Sequence, residues 1–124
     1  MKVNDFRELE VYKKAFALQQ AIYHVSKGFP QEERYSLTDQ IRRSSRSIGS
    51  NVAEAWKKRC YPAHFTSKLT DSDGEQSETI HWLSTSYACG YLSVNDHENY
   101  VTQCEEIGRM LGSMIRDAEK WYTP

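Results

Sequence analysis

The amino-acid sequence predicts an all-α fold, an antiparallel up-down-up-down four-helix bundle, on three observations. Apolar residues recur at helical spacing in four long segments. No segment sustains a two-residue alternation, and the Asp73-Gly74 pair falls inside a helical pattern instead of joining two strand-like runs. The connections between segments are short, which sets neighbouring helices antiparallel. At 124 residues, 1–124 is one domain, long enough to bury roughly two-thirds of the surface its unfolded form exposes.

The first helix is expected to start at Asp5, where Glu8 three residues on has capping-box spacing, and to run to Lys27 with Gly28 as its C-terminal cap. Leu9, Tyr12, Phe16 and Tyr23 form one apolar stripe on its wheel, and Val11, Leu18, Ile22 and Val25 form a second beside it. The two together cover about half the helix, more than the roughly 100° stripe of a helix with one buried side. Two explanations stand open: a helix deep in its own bundle, or a second stripe that meets another subunit.

Pro30 is tolerable near the start of the second helix because it lacks an N–H that would be orphaned there anyway. The core line of this helix is Leu37, Ile41, Ser44, Ser45, Ile48, Val52 and Ala55. Ser44 and Ser45 lie in the seam, where small side chains let another helix approach, whereas Ser47 and Asn51 share a flank and are assigned to a helix or subunit boundary. Arg42, Arg43, Arg46 and Lys57 point away from the seam.

Pro62 opens the third helix, with a core face of Phe65, Leu69, Ile80, Leu83 and Tyr87 interrupted by Ser72 and Gln76, so a polar layer needing internal hydrogen bonds is expected. Gly90 ends it, and Ser93 with Asp96 caps the fourth helix. There Tyr100, Cys104, Ile107, Leu111, Met114, Ile115 and Ala118 recur opposite Glu105, Arg109, Ser113, Arg116 and Lys120.

Sixteen basic against seventeen acidic side chains, a net charge of -1, remove the global footprint of a nucleic-acid binder and leave only local patches. From Arg42 to Arg59 six bases and one acid, Glu54, give a local +5; from Asp71 to Glu78 four acids give -4. These opposed faces are read either as solvated surfaces with weak pairing or as partner-binding ones. Three cysteines without a C-x-x-C pair suggest reduced thiols, neither a disulfide framework nor a zinc site. Without a signal-peptide core or a long apolar run, a cytoplasmic protein with no membrane association is expected.

Little catalytic chemistry survives. Glu78-Thr79-Ile80-His81 is one Glu-x-x-His, but a di-metal bundle needs two such motifs with inward ligands, and Glu78 and His81 fall outside the seam. The serines of the second helix have no histidine within their own segment to act as base. The expectation is therefore no enzyme, no catalytic residue, no cofactor and no metal.

Several motifs together resemble the four-helix bundle proteins of the 23S rRNA intervening-sequence family over nearly the whole chain. They are DF-x-x-L-x-V-Y at Asp5 to Tyr12, FP-x-x-E-x-Y-x-L-x-x-QIRR at Phe29 to Arg43, S-I-x-S-N-V-A-E at Ser47 to Glu54, E-T-x-x-W-L at Glu78 to Leu83, CGYLS at Cys89 to Ser93, and EIGRMLGSMI at Glu106 to Ile115. Gly49 stands where many relatives have proline, Ala55 where they have glycine, and Glu75 where serine is common.

The resemblance implies a homopentameric ring of bundles. A related group, the accessory proteins of diversity-generating retroelements, implies a second reading, a subunit that binds a reverse transcriptase and nucleic acid through a strongly basic surface. The expected partners are thus copies of this chain, with RNA or another protein as further candidates. The expected contact residues are Arg42, Arg43, Arg46, Lys57 and Lys58 for nucleic acid or a partner, and Val11, Leu18, Ile22, Val25, Ser47 and Asn51 for the subunit interface.

Overall fold

The computed structural model describes residues 3–122. Four helices, α1 (Glu10–Ser26), α2 (Asp39–Lys57), α3 (Pro62–Ala88) and α4 (Val94–Arg116), pack round one core, and no strand occurs among the described residues. The main contacts join α1 to α2, α2 to α3, α3 to α4 and α4 back to α1. No helix of the described residues is long and apolar enough to cross a membrane.

The expected start of the first helix divides in two. Asp5 accepts from the Arg7 N–H at 2.8 Å and Glu8 accepts from the Asp5 N–H at 2.8 Å, a complete capping box. It closes only the 3-10 turn Phe6–Glu8. Leu9 then takes extended backbone, which turns its side chain into the core before α1 begins at Glu10. The far end is also closed differently from expectation. Gly28 has no left-handed φ, and the Lys27, Gly28 and Phe29 N–H groups instead donate to His24, Val25 and Ser26 in a tightened last turn.

The two apolar stripes of α1 exchange roles. Val11, Ala15, Leu18, Ile22 and Ser26 form its buried line, with Leu18 and Ile22 0% exposed, while Phe16 of the other stripe is 45% exposed. Leu18 and Ile22 are therefore enclosed by their own chain and cannot be interface residues. Val11 is buried too, though it floors a surface groove described below, and Val25 is half-buried. The reason lies in Ala15 and Ser26. Their small side chains complete the seam and let α2 come close, and they carry almost no hydropathy signal of their own.

Between α1 and α2 the chain makes a 3-10 turn, Gln31–Glu33, and a π-helical turn, Arg34–Thr38, that buries Leu37 and Thr38. All seven residues of the expected α2 core line are buried. So are the polar members of the bundle centre. Ser72 donates to the Ile48 carbonyl at 2.8 Å, and the Thr79 hydroxyl donates to the Ser44 Oγ (2.9 Å) or the Glu75 carbonyl (2.8 Å). Gln76 donates to Asp73 at 3.3 Å and faces α4 at Gly108, where an added Cβ would stand 3.0 Å from the amide nitrogen. A glycine at 108 is what admits that side chain.

Pro62 occupies the first turn of α3, and Phe65, Leu69 and Leu83 are buried. Tyr87, expected in the core, is instead exposed and stacks on His97 with ring centroids 4.5 Å apart. It sits where α3 is ending and only the start of α4 remains to cover it. The end of α3 is a Schellman closure: Tyr91 N–H donates to Ser86 and Gly90 N–H to Tyr87, with Gly90 at φ 84°. Ser93 caps α4 by accepting from the Asp96 N–H at 3.0 Å, and Cys104, Ile107, Leu111 and Met114 are its buried line. The Tyr91 hydroxyl donates to Glu33 at 2.9 Å, tying the α3–α4 connection to the α1–α2 connection. That bond to a carboxylate holds the phenol up at about 12.

Candidate functional site

The outward face of α2 carries the cations expected to meet a partner, and they fall into three sets. Arg43 is engaged within the chain. Its guanidinium donates to Glu75 at 3.2 Å and to Glu78 on α3, which also accepts from the Trp82 indole at 3.1 Å. The Trp82 hydrogen bond, then Arg43, holds the Glu78 carboxyl below its ordinary value, and the Glu75 and Glu78 hydrogen bonds raise Arg43. Lys68 likewise bridges to Glu54 at 3.1 Å and approaches Asp71. The opposed fields of the second and third helices are thus partly joined across the α2–α3 seam, and Arg43 belongs to that seam.

Arg42 and Arg46 form the second set. Arg42 Nε donates to Ser26 Oγ at 2.8 Å, which orients the guanidinium over the Tyr23 ring, 4.8 Å from its centroid. Arg46 lies 5.6 Å from the same centroid, and Lys27 Nζ lies 4.7 Å from it. Lys27 was not among the expected site residues. It stands just past the end of α1, and only the packing of α1 on α2 brings it to Arg42. Lys57 and Lys58 are the third set. Lys57 shares the helical side of Arg46 but lies eleven residues on, about 16 Å along the axis. Lys58 is half-buried beyond the helix end, its N–H donating to Glu54 and Ala55.

Ser47 and Asn51 direct their polar groups to their own helix: Ser47 donates to the Arg43 carbonyl at 2.8 Å and Asn51 to the Ser47 carbonyl at 2.9 Å. Asn51 also lines an open groove between α2 and α3 with Thr70, Gly74 and Glu75.

Beside the cations runs an apolar strip. The Phe6 and Tyr12 rings meet edge to face at 4.9 Å, and Tyr12 and Phe16 stack at 6.2 Å. Tyr12 lies against Gly49 of α2, where a Cβ would stand 3.5 Å from the ring. With Ser50 and Ala53 these residues line a shallow groove of about 280 Å³ that Arg46 borders. A second apolar groove, of about 350 Å³, opens on the other flank of α1, between Leu9, Val11, Met110, Met114 and Trp121.

Glu78 and His81 sit on the outside of the bundle, Glu78 held by Arg43 and Trp82 and His81 packed edge-on against Trp82. Among the described residues no group of three or more His, Cys, Asp or Glu side chains is placed to hold a metal ion. Cys60 and Cys89 are exposed free thiols, while burial pushes the Cys104 thiol up to about 12. What this surface offers chemically is recognition: ring faces, apolar grooves and fixed cations.

Residues 7–113 match the family described as 23S rRNA-intervening sequence protein. Among solved structures, the chain is similar to a Bacteroides thetaiotaomicron protein described as one "with unknown function from S23 ribosomal protein family". The two share 29% identity and a TM-score of 0.78 over 86% of this chain and 95% of that one. No curated protein matches the chain.

Proposed function

Because the chain belongs to the 23S rRNA-intervening sequence protein family, we propose that it acts as a non-enzymatic assembly protein, an up-down-up-down bundle whose copies join head to tail in a closed ring. Five copies is the number its family resemblance implies. The up-down-up-down order is supported by the cross-links between neighbours. Residues 54, 48 and 44 of α2 meet 68, 72 and 79 of α3 in reverse order, and Phe65, Gln76 and Tyr87 meet Tyr122, Gly108 and His97 in the same way.

The observation that carries the assembly reading is the Phe6–Tyr12–Phe16 strip, with Phe16 45% exposed on a helix whose core side is already filled. Aromatic rings contribute most where they are buried on both sides, and two half-buried rings, Phe6 and Tyr12, leading out to the exposed Phe16 are what an association surface supplies. A head-to-tail ring also needs two different patches on each subunit. The strip on the α2 flank of α1 and the Met110–Met114–Trp121 groove on its α4 flank fit that need. This reading shifts the interface away from Leu18 and Ile22 while keeping it on the first helix.

Native mass spectrometry of the intact chain tests it. The expected spectrum holds one multiple of the 14.4 kDa subunit, persisting on dilution through the micromolar range. A spectrum of single subunits at every concentration would reject the assembly role.

A further inference from the structure

We propose that Lys27, Arg42 and Arg46, gathered round the Tyr23 ring, form a site for successive phosphates of a nucleic-acid strand. This goes beyond the assembly reading and draws on the groups of a single subunit. Three cations lie within 5.6 Å of one ring centroid, so each pair is within roughly 10 Å, about the distance over which salt screens charges at 0.1 M. Bringing them together is unfavourable. The ring's negative face offsets part of that cost, and the Ser26 hydroxyl fixes Arg42 by accepting its Nε proton.

No carboxylate forms an ion pair with any of the three among the described residues, where the basic residues that do reach an acid on another helix are Lys14, Arg43 and Lys68. Arg42 and Arg46 open onto a groove of about 440 Å³ that Arg43, paired with Glu75 and Glu78, also lines, and in which Asp39 is the acidic lining residue. Unmatched charge held in fixed geometry on an open surface calls for an anionic ligand. Guanidinium forks select oxyanions with several acceptor oxygens, as phosphate has. An acidic protein face fits less well. Of the four acids a second copy would offer from α3, Glu75 and Glu78 are held by Arg43, Asp73 accepts from Gln76, and Asp71 approaches Lys68.

The cluster extends along α2. Lys57 lies on the same side of α2 as Arg46, about three turns on. This assignment adds Lys27 to the expected contacts, while the charge of Arg43 is already matched by Glu75 and Glu78.

The test is fluorescence anisotropy of a labelled oligouridylate with the full chain, in chloride at about 50 and about 200 mM. For the three cations of one subunit, affinity is expected to fall on the order of 20-fold across that range. Arg42→Gln with Arg46→Gln should reduce the logarithmic salt slope by about 1.4 and weaken binding on the order of 50-fold at the lower salt. Arg42→Lys with Arg46→Lys should keep the slope, and Arg109→Gln, on the exposed side of α4, should leave binding within about twofold. Circular dichroism and light scattering on each variant confirm an unchanged fold and mass.

No binding at the lower salt, or a slope unaffected by the double glutamine variant, would overturn the site. So would displacement of the oligonucleotide by inorganic phosphate far beyond that by chloride at equal ionic strength, which marks a small-anion site. A double glutamine variant that is folded but dissociated into subunits would assign the cations to the subunit interface instead, and overturn it likewise.

Discussion

Replacing Phe16 with glutamate is expected to release folded 14.4 kDa subunits from the assembly, with helix content unchanged by circular dichroism. The side of α1 that the residue occupies decides this outcome. Phe16 is 45% exposed in the single chain and packs on Tyr12 at the surface, so its loss opens no cavity in the core. In a ring every subunit would place a carboxylate in an apolar contact. Withdrawing that group from water costs on the order of several kcal/mol per site unless a cation meets it. Arg46 borders the same groove, so the more demanding variant combines Phe16→Glu with Arg46→Gln. Sedimentation velocity is the measurement. A variant that stays fully assembled would remove the strip from the interface.

Leu18→Ala is expected to do the reverse, lowering stability while leaving the mass of the folded fraction unchanged. Leu18 is 0% exposed, one turn from Ala15 and Ile22 on the buried line of α1. Truncating an enclosed leucine costs about 2–5 kcal/mol through lost transfer energy and the residual cavity. The melting temperature should fall on the order of 10 °C. Leu18→Glu should not fold, because it would put an uncompensated charge into the apolar cluster that encloses Leu18. Thermal unfolding followed by circular dichroism, paired with light scattering below the transition, separates the two effects. If Leu18→Ala dissociated the assembly without moving the melt, the first helix would have its sides exchanged.

That exchange marks where sequence reasoning reached its limit. The third and fourth helices are legible because strong punctuation starts them: Pro62 in the first turn of α3 and Ser93 capping α4. The α2 core line is legible as well, serines included, because Ile41, Ile48 and Val52 set the phase on which Ser44 and Ser45 fall. In α1 two stripes of similar strength compete, and the bulk of Tyr12 and Phe16 outweighs a buried line completed by Ala15 and Ser26. The π turn at Arg34–Thr38 has no proline or glycine within it, and packing of Leu37 and Thr38 sets it.

The basic face follows the same division. The outward cations of α2 can be read from the helical wheel, and the opposed charge of α3 from composition. Which cation is neutralised depends on tertiary geometry. Arg43 reaches Glu75 and Glu78, thirty-two and thirty-five residues away, while Arg42 turns to Ser26 and Tyr23. Lys27 joins the cluster for the same reason, as a residue at the end of one helix brought to the start of another.

The aromatic strip of α1 is expected to be covered by a second copy of this chain. A photo-crosslinking phenylalanine analogue at position 16, irradiated in the purified protein, tests it most directly. The expected result is a covalent product of two chains, with the attachment mapped by mass spectrometry to the Met110–Met114–Trp121 groove of the neighbouring copy. Irradiation that leaves only single chains, at concentrations where the protein is folded, would contradict it.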